Sequence, residues 1–166
     1  MSNPTNGRSK RLISRSLILI VAAAAAGSLA CSSSPTGPEG VTVIRATTSF
    51  GFCLRYCKTT LEITEAGLTF VEEAPRGDLP TVRRTAAVSA SEWQALVAAL
   101  DRSKIEALPE TLGCPDCADG GAESLEVVGA DWRKSVTFEF GATIPELQPL
   151  LERVRALRGR FTPATR

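Results

Sequence analysis

The feature that most constrains the fold is an alternation of apolar and polar residues in two separate stretches of the chain. In the first, Leu61 and Ile63 alternate with threonine and glutamate, and a second run returns after a turn at Gly67. In the second, Leu125 and Val127 alternate with polar residues, and a similar run follows the segment "GADW". A period of two places one set of side chains on a buried face and the other in water. The alternation therefore predicts two antiparallel hairpins.

Two more strands and two helices are predicted around these hairpins. The β-branched run at 41–50 and the run "TVRRTAAV" at 81–88 have strand character. A helix is predicted to begin at Ser89, because Ser89 and Glu92 have the spacing of a capping box. Its apolar residues fall at helical spacing, at Trp93, Leu96, Val97 and Leu100. The segment "DRSKIEAL" continues as a further helical turn, which Pro109 ends.

A second amphipathic helix is predicted near the C-terminus. Its apolar face consists of Leu147, Leu150, Leu151, Val154 and Leu157. Thr143 and Glu146 repeat the capping-box spacing, but Pro149 favours a start near Gln148. The sequence thus predicts an α+β fold: an antiparallel sheet of about five or six strands with two amphipathic helices packed on one face. This single domain is expected to span residues 41–161, followed by a tail at 162–166.

Residues 1–30 have the pattern of an export signal rather than of a folded element. A basic start is followed by the apolar run "LILIVAAAAA" and then by "GSLAC". The run of 14 residues from Leu17 to Ala30 would be about 21 Å long as a helix, shorter than a bilayer core of about 30 Å. We therefore predict a cleaved signal peptide, with a membrane anchor helix as the alternative.

The segment from Ser28 to Cys31, "SLAC", resembles the lipobox of bacterial lipoprotein precursors at Ala30 and Cys31. The resemblance implies that Cys31 becomes the lipid-modified first residue of the mature chain and anchors it to a membrane. Residues 31–40 are rich in Ser, Pro and Gly and are interpreted as a flexible tether. The expected location is the periplasm, with the outer membrane favoured because Ser32 is not Asp, or the cell surface. Ser28 and Ala30 also fit ordinary signal cleavage, so export without lipid is the alternative.

Composition excludes several classes of function. The chain contains no histidine, which removes histidine bases and histidine metal ligands. All 18 acidic residues follow Cys31 and four of the 19 basic residues precede it, leaving a mature net charge of −3. No nucleic-acid partner is expected from this charge. No catalytic residue, metal site or cofactor is predicted, and a protein or ligand partner cannot be named.

Two charged groups are interpreted as solvated surface. Arginines crowd the end of the last predicted helix, where cations suit the helix dipole, at positions Arg153, Arg155, Arg158 and Arg160. Asp116, Asp119 and Glu123 lie around a glycine pair but lack the ligand register of an EF-hand. We therefore expect a solvated helix end and a solvated acidic loop, rather than an anion site and a calcium site.

The segment "SFGFCLRYCKTTLEITEAGLTFV" resembles the start of a domain of unknown function found in exported bacterial proteins. The resemblance is carried by Phe50, Gly51, Cys53, Tyr56 and Gly67. It covers the globular part loosely, and it implies export but no activity.

Four cysteines remain in the mature domain: Cys53, Cys57, Cys114 and Cys117. Because exported chains meet an oxidising compartment, structural disulfides are predicted. Two cysteines four apart in an extended strand are about 13 Å apart, so a local bond at 53–57 needs a turn. Cross-links between the two cysteine pairs are therefore slightly favoured. A thiol-disulfide redox pair at "CPDC" and a four-cysteine zinc site are the alternatives.

These observations predict a non-enzymatic, exported lipoprotein with a disulfide-stabilised domain that has a binding or envelope-structural role. The membrane is an expected partner, through the lipid at Cys31.

Overall fold

The computed structural model describes residues 40–76 and 79–161 of the chain. The predicted signal peptide, Cys31, most of the tether and the tail at 162–166 lie outside the described residues. The described part contains six β-strands, and each of them matches a predicted strand. They are β1 (Val41–Ser49), β2 (Lys58–Thr64), β3 (Gly67–Glu73), β4 (Val82–Ala86), β5 (Ala122–Gly129) and β6 (Arg133–Glu139).

The six strands form one antiparallel sheet in the order β4-β3-β2-β1-β5-β6. The predicted hairpins are confirmed as β2–β3 and β5–β6. The predicted alternation also holds, because Ile44 and Ala46 in β1 are buried together with Leu61 and Ile63 in β2. The residues that alternate with these point to the other side of the sheet and include charged side chains. Among them, Arg45 forms ion pairs with Glu62 of β2 and Glu126 of β5. The strands therefore have one apolar and one polar side, as the sequence predicts.

Three helices complete the α+β fold: α1 (Ala90–Ala98), α2 (Arg102–Ala107) and α3 (Gln148–Arg158). The capping box that opens α1 is confirmed, since the Ser89 side chain accepts from the Glu92 N–H and Glu92 accepts from the Ser89 N–H. The predicted start of α3 is also confirmed. The capping box expected at 143–146 is wrong, because the N-cap of α3 is Leu147 and no side chain caps it.

The helices and the sheet share one hydrophobic core. Trp93, Leu96 and Val97 of α1 and the apolar face of α3 belong to the same buried cluster as the apolar residues of the sheet. The packing of the helices on a single face of the sheet stays a prediction. No helix within residues 40–76 and 79–161 has both the length and the apolar character needed to span a membrane.

Candidate functional site

A row of polar side chains crosses the sheet where the apolar alternation ends. The strand register aligns Glu72, Thr59, Thr48 and Glu123, one from each of four neighbouring strands. Each lies two residues beyond an apolar core position of its own strand, so all four point toward the same side as the core. The two threonine hydroxyls in the middle of the row are 2.6 Å apart and share a hydrogen bond. The row thus has a glutamate on each flank of a threonine pair.

A cavity of about 430 Å³ lies over this row, and we name it the Phe–Arg pocket. Its volume is within the range of about 300–1,000 Å³ that is typical of small-molecule sites. Four phenylalanines and three arginines line it together with the polar row. The lining residues are Thr48, Phe50, Thr59, Phe70, Glu72, Arg84, Glu123, Phe140, Gly141, Arg155, Arg158 and Phe161.

Glu123 is the most buried charged group of the pocket, with 1% of its side chain exposed. Arg155 holds it with a forked contact, in which Nη2 donates to Oε2 at 2.7 Å and Nε lies 3.3 and 3.4 Å from the two oxygens. The same Nη2 also donates to the carbonyl of Ala142 at 3.0 Å. A buried carboxylate requires such pairing, because its desolvation would otherwise be very unfavourable. Arg155 therefore serves mainly to neutralise Glu123.

Arg158 is paired much less completely than Arg155. Its Nη1 lies 3.6 Å from Glu123 Oε1, which is an ion pair but too long for a good hydrogen bond. Its Nε and Nη2 are buried and have no hydrogen-bond partner among the described residues. Burial lowers the pKa of Arg158, an effect that Glu123 opposes and the neighbouring Arg155 reinforces. Arg158 is thus a desolvated cation in the pocket lining, with two donors that have no partner among the described residues.

Arg84 of β4 also lines the pocket. Its Nη2 donates to Glu72 at 2.6 Å and its Nη1 donates to the carbonyl of Phe161 at 2.7 Å. The guanidinium lies 5.1 Å from the centre of the Phe70 ring, a cation–π contact. Its Nε is buried without a partner among the described residues. Arg84 is therefore held in place through Nη1 and Nη2, while its Nε has no partner among the described residues.

The aromatic side chains are arranged as two pairs. Phe70 and Phe161 stack with ring centres 5.1 Å apart, and Phe50 and Phe140 meet edge to face at 4.9 Å. Phe140 is 49% exposed, so this second pair reaches the protein surface. The pocket consequently combines an apolar lining with guanidinium donors, a combination suited to a ligand that has an apolar body and an anionic group.

The structure corrects the interpretation of two charged groups. Glu123 is not part of a solvated acidic loop, since it is buried against α3. Arg155 and Arg158 are not a solvated helix end either, because their side chains are only 29% and 13% exposed. A sequence signal for this burial exists, since Glu123 has the same alternation phase as Leu125 and Val127. A charged residue at a position whose side chain should point into the core indicates a buried partner of opposite charge.

Both disulfides are local, and the favoured cross-links between the two cysteine pairs are wrong. Cys53 bonds to Cys57 and Cys114 bonds to Cys117, with Cα atoms 5.6 and 5.5 Å apart. The physical reason is that the chain bends between β1 and β2 instead of continuing as a strand. The Phe50 N–H donates to the carbonyl of Cys57 and closes this loop. The bend therefore supplies the turn that a local bond requires.

The loop containing Cys114 and Cys117 is attached to the β1–β2 loop by a hydrogen bond from Gly51 to Asp116. The Asp116 carboxylate accepts from the N–H groups of Gly51 and Gly121, both at 3.2 Å. Gly121 must be a glycine, because its φ is +84° and a Cβ atom there would lie 2.4 Å from the Phe50 ring. The contact between the two loops that was expected from cross-links thus exists, but Asp116 provides it.

The geometry around Cys114 and Cys117 differs from that of redox motifs at helix starts. Only a single 3₁₀ turn follows, Cys117–Asp119, and Ala118 within it has a left-handed φ of 51°. Both cysteines are exposed to solvent. Among residues 40–76 and 79–161, no group of three or more acidic or cysteine side chains is positioned to hold a metal ion. The zinc alternative therefore has no set of ligands in the described part of the chain.

Comparison with known proteins adds no relative. No model of a protein family matches the chain, and no curated protein matches it. The resemblances to lipoprotein precursors and to an exported domain of unknown function remain predictions from the sequence.

Proposed function

We propose that this protein is an exported lipoprotein, anchored to a membrane through Cys31, whose domain binds a small ligand without changing it chemically. The observation that carries the binding role is the Phe–Arg pocket, where buried guanidinium donors of Arg84 and Arg158 adjoin an apolar cavity. Free buried donors are unfavourable for folding, and a bound anion would satisfy them. The pocket also contains no histidine base, because the chain has none.

Anchoring is supported by the sequence alone. The basic start, the apolar run and the "SLAC" segment favour export, and the Ser/Pro/Gly-rich residues after Cys31 favour a tether. Several acyl chains on one cysteine would hold the domain stably, at about 0.8 kcal/mol for each buried CH₂ group.

A thiol-disulfide role for Cys114 and Cys117 is the second candidate, because both are exposed to solvent and are bonded to each other at a sequence separation of 3. In this role the disulfide would be reduced easily and would exchange with small thiols. Resistance of this pair to thioredoxin-strength reductants would exclude it.

The predicted anchor is tested by the intact mass of the protein purified from membranes without reductant, measured before and after alkylation, and the binding role by the titration described below. We expect a mass increase equal to a diacylglyceryl group plus one acyl chain at Cys31, and no alkylation of the other four cysteines. A Cys31→Ser variant is the matched control and should lack the increase. An unmodified mature chain would contradict the anchor.

Tryptic peptides of the same sample test the cysteine pairing. Trypsin cuts after Arg55, so a local bond should join the fragment containing Cys53 to the fragment containing Cys57. Cys114 and Cys117 fall in one peptide, Ile105 to Arg133, which should be two hydrogen atoms lighter than its reduced form. A peptide joining the two cysteine pairs would contradict the observed pairing.

A further inference from the structure

Arg158 presents a donor edge that matches a carboxylate. Its Nε and Nη2 lie on one side of the planar guanidinium, and both are buried without a partner among the described residues. Arg155, nearly one helical turn earlier, uses the same two atoms to hold both oxygens of Glu123. The pocket thus contains one carboxylate–guanidinium fork and, next to it, a second guanidinium with the same edge free. Forked binding of this kind is specific for planar anions.

The charges of the pocket favour a ligand with a single negative charge. Three arginines and two glutamates line it. Arg84 pairs with Glu72 and Arg155 pairs with Glu123, at 2.6 and 2.7 Å. Among the described residues, the positive charge of Arg158 is left without an equivalent partner. A monoanion balances this charge, whereas a dianion would be repelled by the nearby Glu123.

The apolar lining determines the rest of the ligand. The two phenylalanine pairs provide aromatic surface in the same lining as the arginines. A fully polar anion would leave this surface in contact with water, while an apolar body would bury it at about 25 cal/mol per Å². Since Phe140 is half exposed, an apolar body can enter beside it.

Resting on the proposed binding function, we propose that the Phe–Arg pocket binds a small organic acid, with its apolar body among the phenylalanines and its one carboxylate on the Nε–Nη2 edge of Arg158. Because this edge is closed to water in the free protein, binding requires the Arg158 side chain to turn toward the cavity that it lines. The Arg155–Glu123 pair positions Arg158 and does not contact the ligand.

The test is calorimetric titration of the full chain, reconstituted in phospholipid nanodiscs, with four probes. These are phenylbutanoate, its neutral amide phenylbutanamide, phenylpropyl phosphate and octanoate, each also titrated into empty nanodiscs. Phenylbutanoate should bind about tenfold or more tighter than the amide, because charged hydrogen bonds replace neutral ones. It should also bind tighter than the phosphate, and octanoate shows whether the apolar body must be aromatic.

Two variants make the test specific to the pocket. Arg158→Met keeps the packing of the side-chain stem and should lose the preference for the acid over the amide. Arg153→Met removes an exposed arginine of the same helix and should bind as the wild type does. Phenylbutanoate binding by Arg158→Met at wild-type affinity would overturn the assignment.

The other outcomes separate this inference from the proposed function. Equal affinity for acid and amide, or tighter binding of the phosphate, would overturn the organic-acid class while leaving the pocket a binding site. Failure of all four probes to bind would overturn both.

Discussion

At the scale of single residues, two arginines of one helix have opposite relations to stability. Arg155 and Arg158 both approach Glu123, but only Arg155 makes close hydrogen bonds to it. A buried ion pair contributes little net stability, yet removing one partner leaves the other charge uncompensated. Arg155 is thus required by the fold once Glu123 is buried. Arg158 loses its hydration on folding and gains only a long contact to Glu123 in exchange, which is typical of residues retained for binding.

This difference predicts the effect of two parallel substitutions. Arg155→Met should lower the free energy of unfolding by about 3 kcal/mol, because Glu123 then keeps only a long contact. Arg158→Met should leave stability unchanged or raise it, because a buried cation with two free donors is replaced by an apolar side chain of similar reach. Urea unfolding followed by tryptophan fluorescence measures both, since Trp93 and Trp132 are buried.

The control for this pair is Arg153→Met, an exposed change on the same helix that should shift stability by less than about 0.5 kcal/mol. A loss from Arg158→Met as large as that from Arg155→Met would contradict the distinction between the two arginines.

At the scale of elements, the regular structure was predictable and the loops were not. Strands and helices follow from side-chain periods of two and 3.6 residues, which are properties of neighbouring positions. The start of α3 was predictable as well, because Pro149 is tolerated only in the first turn. In the loop after α2, by contrast, Asp116, Ala118 and Asp119 adopt left-handed backbone conformations. Such conformations in residues other than glycine depend on tertiary contacts, which no local pattern reports.

The cap of α1 predicts a pH dependence of stability. The Ser89 N–H donates to Glu92, and Arg160, beyond the end of α3, also pairs with it. These contacts lower the pKa of Glu92 from 4.5 to about 2, with the Ser89 backbone contact as the largest cause. Because the folded state binds this proton less tightly than the unfolded state, the stabilisation is complete above about pH 5 and is lost as the pH falls to about 2.

Urea unfolding of the Glu92→Gln variant across this range provides the measurement. The stability difference from wild type should be largest at neutral pH and should shrink steadily toward pH 2, where about half of the Glu92 carboxyls are protonated in the folded wild type. Glu65→Gln, in the β2–β3 turn, is the control for general effects of charge. A difference that does not change with pH would show that the cap does not depend on the ionised carboxylate.

At the scale of the whole molecule, the site is a product of the sheet register. Thr48, Thr59, Glu72 and Glu123 are far apart in the chain and become one row only when four strands pair in their particular register. Their burial could be predicted in part from the sequence, since each lies two positions from an apolar residue whose side chain points into the core. The arginines at the end of α3 are recognisable in the sequence as a cluster, but the sequence does not show which of their side chains point toward the sheet. Sequence periodicity therefore predicts the layers of the fold, while the site depends on how the layers meet.

The pocket lies at the end of β1 that is farther from the point where the predicted tether joins the domain. β1 begins at Val41, where the tether would join, and ends at Ser49, beside the pocket residues Thr48 and Phe50. Eight residue steps of about 3.3 Å place the two ends of β1 about 26 Å apart. Anchoring and ligand binding are therefore expected to be independent.

This independence predicts the behaviour of Cys31→Ser. The variant should still be exported, because Ser28 and Ala30 fit ordinary signal cleavage, but it should leave the membrane fraction. Its affinity for phenylbutanoate should stay within about twofold of the wild type, because no pocket residue is changed. Ser32→Ala, which keeps the cysteine, should remain in the membrane fraction with unchanged affinity. A folded Cys31→Ser protein that no longer binds the acid would show that the membrane itself contributes to the site.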